Sequence, residues 1–272
     1  MGKHETLILS YQEGVATVEL NRPSHANAID EQMAVELAAA AAELDADRSV
    51  RAVVLTARGR IFCAGGDVKA MASFGTHTRQ RVKRLADEVH RAISTFARMR
   101  APLVVAVNGM AAGGGFSLAM VGDLVLALTS ASFTMAYAAA GLSPDGSSTW
   151  FLPRLIGLRR TQELLFTERR LSAAEAQAWN LVHTVTADEA LMAEAVGHAR
   201  RLASGAGQSY AAIKALLNAS FANGLETQME LEGRLIAACA GSADGQEGIT
   251  AFCEKRAACF STDAGDSHDE RG

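Results

Sequence analysis

Two apolar runs, RAVVLTA at 51–57 and PLVVAVNG at 102–109, are each followed closely by glycine: FCAGGD at 62–67 after the first and AAGGGFSLAM at 111–120 after the second. Short runs rich in Val and Leu and bounded by turn signals read as strands buried on both faces. A long helical pattern from about Arg79 to Met99 lies between them, so the connection is a crossover and the strands pair in parallel. Glycines 113–115 strip every side chain from the entrance of the helix that follows. Its free N–H groups and the positive end of its dipole then face outward, where a polarised oxygen can sit. Such glycines equally permit close packing of helix on strand. At the ends of neighbouring parallel strands both loops open on one side of the sheet, where α/β ligand sites lie, and one amide from each would make an oxyanion hole.

The rest of the chain fits an α/β fold. Residues 6–10 and 14–20 flank the turn QEG as a hairpin, and Asp30 caps the helix EQMAVELAAAAAELDA, with Met33, Leu37 and Leu44 at helical spacing. The segment RGRIFCAGGDVKAM reads as a loop, DLVLAL and SFTMAY as strands, and nearly everything after Arg159 as helix. With 272 residues, 49% of them apolar, and 4 prolines, one main domain with alanine-packed helices is expected. A core over 1–200, a helical region over 201–260 and a polar, disordered tail over 261–272 are the expected divisions.

Charge and cysteines narrow the function. A net charge of −4 offers nucleic acid or an anionic membrane no general attraction. The segment RQRVKRLADEVHRAISTFARMR carries seven Lys and Arg against two acids, but they are spread around the helix with Phe96 the single aromatic among them, which argues against nucleic acid. Cys63, Cys239, Cys253 and Cys259 form no CxxC or zinc-like spacing, so free thiols, no metal site and a cytoplasmic location are expected. No apolar run reaches the roughly 20 residues that span a bilayer.

IFCAGGDVKAM, PLVVAVNGMAAGGGFSLAMVGDLVLA, the stretch from GLSPDGSSTWFLPRL to NLVHTV, and ITAFCEKRAACF together resemble the enoyl-CoA hydratase/isomerase, or crotonase, superfamily. The resemblance runs through nearly the whole chain. It implies a spiral of ββα units with a C-terminal helical region, trimers or hexamers, and acyl-CoA thioesters as substrates, with no cofactor beyond the coenzyme A they carry. It puts the oxyanion amides on Gly66 and Gly114, lines the coenzyme path with Ala64, Gly65 and Asp67, and sets Phe252 and Lys255 against the adenine and phosphate end. Without it, Phe252 would be a core aromatic and Lys255 a solvated cation.

The departures are as informative. Hydratases of the family carry two glutamates that handle water and protons; Ser117 and Tyr137 stand in those places here, and neither hydroxyl is a base at neutral pH. Asp145 stands where those hydratases usually have glycine. Within GLSPDGSSTWFLPRL it matches the branch containing ring-1,2-epoxyphenylacetyl-CoA isomerase and related enoyl-CoA isomerases. That branch implies acid/base or ring-opening chemistry by Asp145, and Tyr137 is expected to orient its carboxylate through the hydroxyl. Read alone, an Asp between Pro and Gly-Ser-Ser is a turn or N-cap residue, worth about 1 kcal/mol. The 4-chlorobenzoyl-CoA dehalogenases match too, at Asp145, Tyr137 and His90, though FCAGGD has glycine where they place an aromatic. Enoyl-CoA hydratase-like activity and a CoA- or RNA-binding relative with reduced catalysis are the remaining alternatives.

Overall fold

The computed structural model describes residues 4–260. The hairpin strands β1 (Leu7–Gln12) and β2 (Val15–Leu20) pair antiparallel, Leu7 opposite Leu20, and α1 (Glu31–Ala46) follows with the Asp30 carboxylate accepting from the Met33 amide at 2.9 Å. Glu36 of α1 holds the hairpin in place. Its buried carboxylate accepts from the Glu5 and Thr6 amides, each at 2.9 Å, and from the Thr6 hydroxyl at 2.6 Å.

Three ββ steps build the middle of the molecule. Strands β3 (Ala52–Ala57), β5 (Leu103–Val107) and β7 (Leu124–Leu128) are parallel neighbours in one sheet. Each leads within two or three residues into a short strand of a second sheet: β4 (Ile61–Cys63), β6 (Met110–Ala112) and β8 (Ser132–Thr134), again parallel neighbours. Helices α2 (Val68–Ala72) with α3 (Thr78–Arg98), α4 (Gly114–Ala119), and α5 (Ser148–Thr167) follow the three pairs in turn, which is the expected ββα spiral. Strand-to-strand crossing is tight at Gly109, where a Cβ would lie 2.1 Å from the Arg60 carbonyl oxygen. Only glycine fits there.

The second sheet ends at β9 (Leu171–Ser172), antiparallel to β8; α6 (Ala173–Ala178) leads to β10 (Thr184–Thr186), which adds to β7 in the first sheet. The orders are β1-β2-β3-β5-β7-β10 and β4-β6-β8-β9. Alternate residues of the central strands serve two cores. Val53, Leu55, Leu103 and Val105 face α1 and α3, while Ala52, Val54, Val104 and Ala106 face α7 (Leu191–Ala203). Leu191, Ala195, Ala199 and Ala203 recur every four residues, so one stripe of α7 lies flat on the sheet. The expected 200/201 division falls inside this helix. Helices α8 (Gly207–Ser220), α9 (Leu225–Gly241) and α10 (Ala243–Glu254) then form the C-terminal helical region. The expected tail, 261–272, lies outside the described residues.

Two sequence expectations are corrected. RGRIFCAGGDVKAM contains β4 and α2, and the glycine loops follow β4 and β6 rather than leaving β3 and β5 directly. Residues 171–172 and 184–186 are strands inside the stretch expected to be helical. Strands of two or three residues are too short to show an alternating pattern, and their place is set by the partner they pair with.

Candidate active site

Because β4, β6 and β8 run parallel, Cys63, Ala112 and Thr134 end on the same side, and the loops after them lie side by side. At Gly65, φ is 92° and a Cβ would stand 2.9 Å from the Ala112 carbonyl oxygen and 3.3 Å from the Gly114 nitrogen, so the loops touch through glycine. Gly66 bridges Ile29: the Ile29 amide donates to Gly65 O at 2.7 Å and the Asp67 amide to Ile29 O at 2.9 Å. Alternation along that extended segment turns the Gly66 N–H the other way. Gly114 opens α4, where an amide has no partner in its own helix. Among the described residues neither amide donates to a protein acceptor, and both glycines are partly accessible.

The first loop is braced. The Asp67 carboxylate accepts from the Ala70 amide at 3.0 Å, capping α2, and meets the Arg22 guanidinium at 3.3 Å. Arg22 also reaches Asp30 at 3.0 Å, and the Ala64 amide donates to Ala26 O at 3.1 Å. Thus Asp67 fixes Gly66 in place. Nothing in the sequence marked Arg22, whose partners lie up to 45 residues away.

Around the second loop, the space beside Gly114 is bounded by Ile29 and by the Tyr137 hydroxyl, which would be 3.9 Å from a Cβ there. That hydroxyl donates to the Asp145 carbonyl oxygen at 3.3 Å, and the Ser117 hydroxyl donates to the same oxygen at 2.8 Å. Tyr137 therefore orients the Asp145 backbone and not its carboxylate, contrary to the sequence expectation. Burial pushes the Tyr137 phenol up to about 12, so it stays protonated.

The capping expectation for Asp145 is also overturned. Helix α5 begins behind Ser147, with no side chain capping it, and it is the Asp145 carbonyl that accepts from the Ser148 amide (3.3 Å) and hydroxyl (3.0 Å). The carboxylate accepts instead from the Gly146 amide and from Nε2 of His90 on α3. Beyond this pair a cavity of about 350 Å³ opens between α3, the start of α5 and α8, with His90, Ser147, Trp150 and Phe151 among its walls. The structure thus brings Gly65, Gly66, Gly114, Tyr137, Asp145 and His90 into one cluster.

Phe252 and Lys255 lie at the end of α10, which packs on α9, and share no hydrogen bond or ion pair with the loops among the described residues. Phe252 is 85% exposed, so it is not a core aromatic. No group of three or more His, Cys, Asp or Glu side chains among the described residues could hold a metal ion.

The sequence pattern of the enoyl-CoA hydratase/isomerase family matches residues 10–263. The chain is 35% identical over 257 residues to the 1,2-epoxyphenylacetyl-CoA isomerase of Escherichia coli (strain K12), covering 94% of this chain and 98% of that protein. It is 33% identical over 248 residues to 4-chlorobenzoyl coenzyme A dehalogenase-2 of Arthrobacter sp., covering 91% and 90%. A solved enoyl-CoA hydratase from Polaromonas sp. JS666 superposes with a TM-score of 0.90 at 30% identity, covering 94% of this chain and 99% of that one. Shared motifs, shared fold and matches over nearly the full length agree: the chain belongs to the enoyl-CoA hydratase/isomerase, or crotonase, superfamily.

Proposed function

We propose that the protein is an enoyl-CoA isomerase-like enzyme, shifting a double bond or isomerising a ring epoxide in an acyl-CoA thioester, with Asp145 as its acid/base residue. The observation that carries this is the Asp145 carboxylate, which caps no helix and is held by His90, in a turn braced by a protonated Tyr137 whose hydroxyl stands beside Gly114. In a 3-enoyl thioester, Asp145 takes a proton from C2. The C–H electrons move into the thioester as an enolate, and the same carboxyl returns the proton at C4. The Gly66 and Gly114 amides meet the charge on the enolate oxygen, each worth about 3–4 kcal/mol in the transition state by analogy with other oxyanion holes. Coenzyme A runs past Ala64, Gly65 and Asp67 toward Phe252 and Lys255, whose exposed ring is free to stack.

Asp145→Asn keeps the side chain's shape and removes the base. Turnover of a 3-enoyl-CoA should fall about 10²–10⁴-fold, the usual range for general acid/base catalysis, with the melting temperature nearly unchanged. Near-normal isomerase activity in that variant would refute the assignment.

A second reading is favoured by the His90–Asp145 hydrogen bond and by the dehalogenase relatives. In it Asp145 attacks a halogenated ring carbon and halide leaves; His90 activates water to hydrolyse the aryl ester and free the aspartate. Halide release from a halobenzoyl-CoA would separate it from isomerisation.

Self-association into trimers or hexamers is also proposed. Ile213 of α8 and Met229 and Ile236 of α9 are exposed apolar side chains lining a groove of about 490 Å³, and Leu217 of α8 and Phe221 at its end are exposed apolar side chains too. A stable monomer at micromolar concentration in sedimentation would contradict it.

A further inference from the structure

The cavity beyond the His90–Asp145 pair has two unlike walls. Trp150 and Phe151 of α5 make one side apolar, while His90, Ser94 and Arg98 of α3 and Asn218 of α8 make the other polar. His90, Ser94 and Arg98 are spaced four residues apart, so they stand on one face of α3, each about 6 Å further along the axis. Arg98 carries the one permanent charge on the wall. Its guanidinium donates to the Ser94 hydroxyl at 2.7 Å, which folds it back one turn toward His90, and it meets no carboxylate among the described residues. Other arginines around the site are committed: Arg22 to Asp30 and Asp67, and Arg81 to Glu31.

We infer that this cavity takes the far end of the acyl group and that Arg98 selects an acyl group ending in a carboxylate. The inference rests on the acyl-CoA reading above and names its substrate class. A methylene chain leaving the His90–Asp145 pair runs along Trp150 and Phe151. About one helical turn on, some 6 Å, it reaches the guanidinium, whose remaining N–H groups are set to grip a carboxylate in bidentate fashion. A plain alkyl end of the same length leaves that exposed cation to solvent and gains nothing from it. The volume, about 350 Å³, is at the lower end for small-molecule sites and suits the acyl portion of a short dicarboxylic thioester.

The test is binding of two saturated thioesters, hexanedioyl-CoA with a free terminal carboxylate and hexanoyl-CoA with a methyl end, with free coenzyme A as reference. It needs no turnover and can be read by calorimetry. The expected result is that hexanedioyl-CoA binds at least 10-fold more tightly than hexanoyl-CoA. Arg98→Gln, at an exposed position without an ion pair, should bring the two within about 2-fold while leaving hexanoyl-CoA binding unchanged. Equal affinities in the unaltered protein, or a preference that survives Arg98→Gln, would overturn the inference alone. If neither thioester binds more tightly than free coenzyme A, the acyl-CoA reading fails and takes this inference with it.

Discussion

Gly146 decides where Asp145 points. Its φ is 62°, and a Cβ there would lie 2.8 Å from Cβ of Ser117, so the chain turns against α4 at a position only glycine can occupy. Ser147 follows in the same left-handed region, at a cost of about 1–3 kcal/mol for a residue with a side chain. The turn spends the Asp145 carbonyl on three hydroxyls and one amide and leaves the carboxylate to His90. Tyr137 serves that turn in its protonated form. Its phenol is raised from the ordinary 10 to about 12, so the stability it gives is complete below pH 10 and is lost as pH rises from there through 12. Tyr137→Phe should shrink the fall in melting temperature between pH 10 and 12, with the remaining fall due to Tyr11, which burial and Glu43 also raise to about 12, and to Cys63, whose thiol burial pushes up to about 12. It should cost isomerase activity far less than Asp145→Asn; an equal loss in both variants would make the phenol part of the chemistry. At this scale the sequence named residues that the structure brings together, because the glycine loops, Asp145 and His90 stand in motifs that match the family. It did not hold their orientation. Whether Tyr137 meets a carboxylate or a carbonyl depends on two positive-φ residues that SPDGSS does not announce, and Arg98 reads in isolation as an ordinary solvated helix cation.

The elements were legible in proportion to their length. β3 and β5 were readable as continuous apolar runs and α1 and α3 from helical spacing; β4, β6, β9 and β10, at two or three residues, were not separately readable. Yet β4 and β6 are the strands that set the glycine loops side by side. Another element-level contact escaped the sequence because it joins residues 91 positions apart: Lys214 of α8, only 6% exposed, donates to Asp123 at 2.7 Å and to the Phe96 and Ala101 carbonyls at 3.0 and 3.3 Å. Asp123 in turn accepts from the Leu103 amide at 2.7 Å, so one ammonium ties α8 to α3 and to the starts of β5 and β7. Lys214→Met keeps the stem and removes the charge, leaving Asp123 and two carbonyls short of a donor. A loss of about 3 kcal/mol is expected, from the low end of the range for breaking a buried pair, since Asp123 is partly exposed. Urea unfolding measures it, and an unchanged midpoint would show that the pair does not fasten α8. Because α8 also forms part of the cavity wall through Asn218, the same variant should loosen acyl binding.

Over the whole molecule, two mostly parallel sheets converge on one cluster: unused amides from two loops, a carboxylate held by His90, and a cavity walled by α3, α5 and α8. The resemblance carried by ordered motifs along the chain was enough for this architecture. Composition alone reached no further than a helix-rich globular protein with alanine-packed helices, since the same residue totals suit many folds. Among the described residues no helix is long and apolar enough to cross a membrane. The central claim is that the two loops hold a thioester oxygen while Asp145 faces the reacting carbons, and a crystal structure with a non-reactive acyl-CoA tests it most directly. The expected result is the thioester oxygen within about 3 Å of both the Gly66 and Gly114 nitrogens, with C2 to C4 of the acyl group beside the Asp145 carboxylate. A thioester oxygen bound away from those two amides, or acyl carbons turned from Asp145, would contradict it.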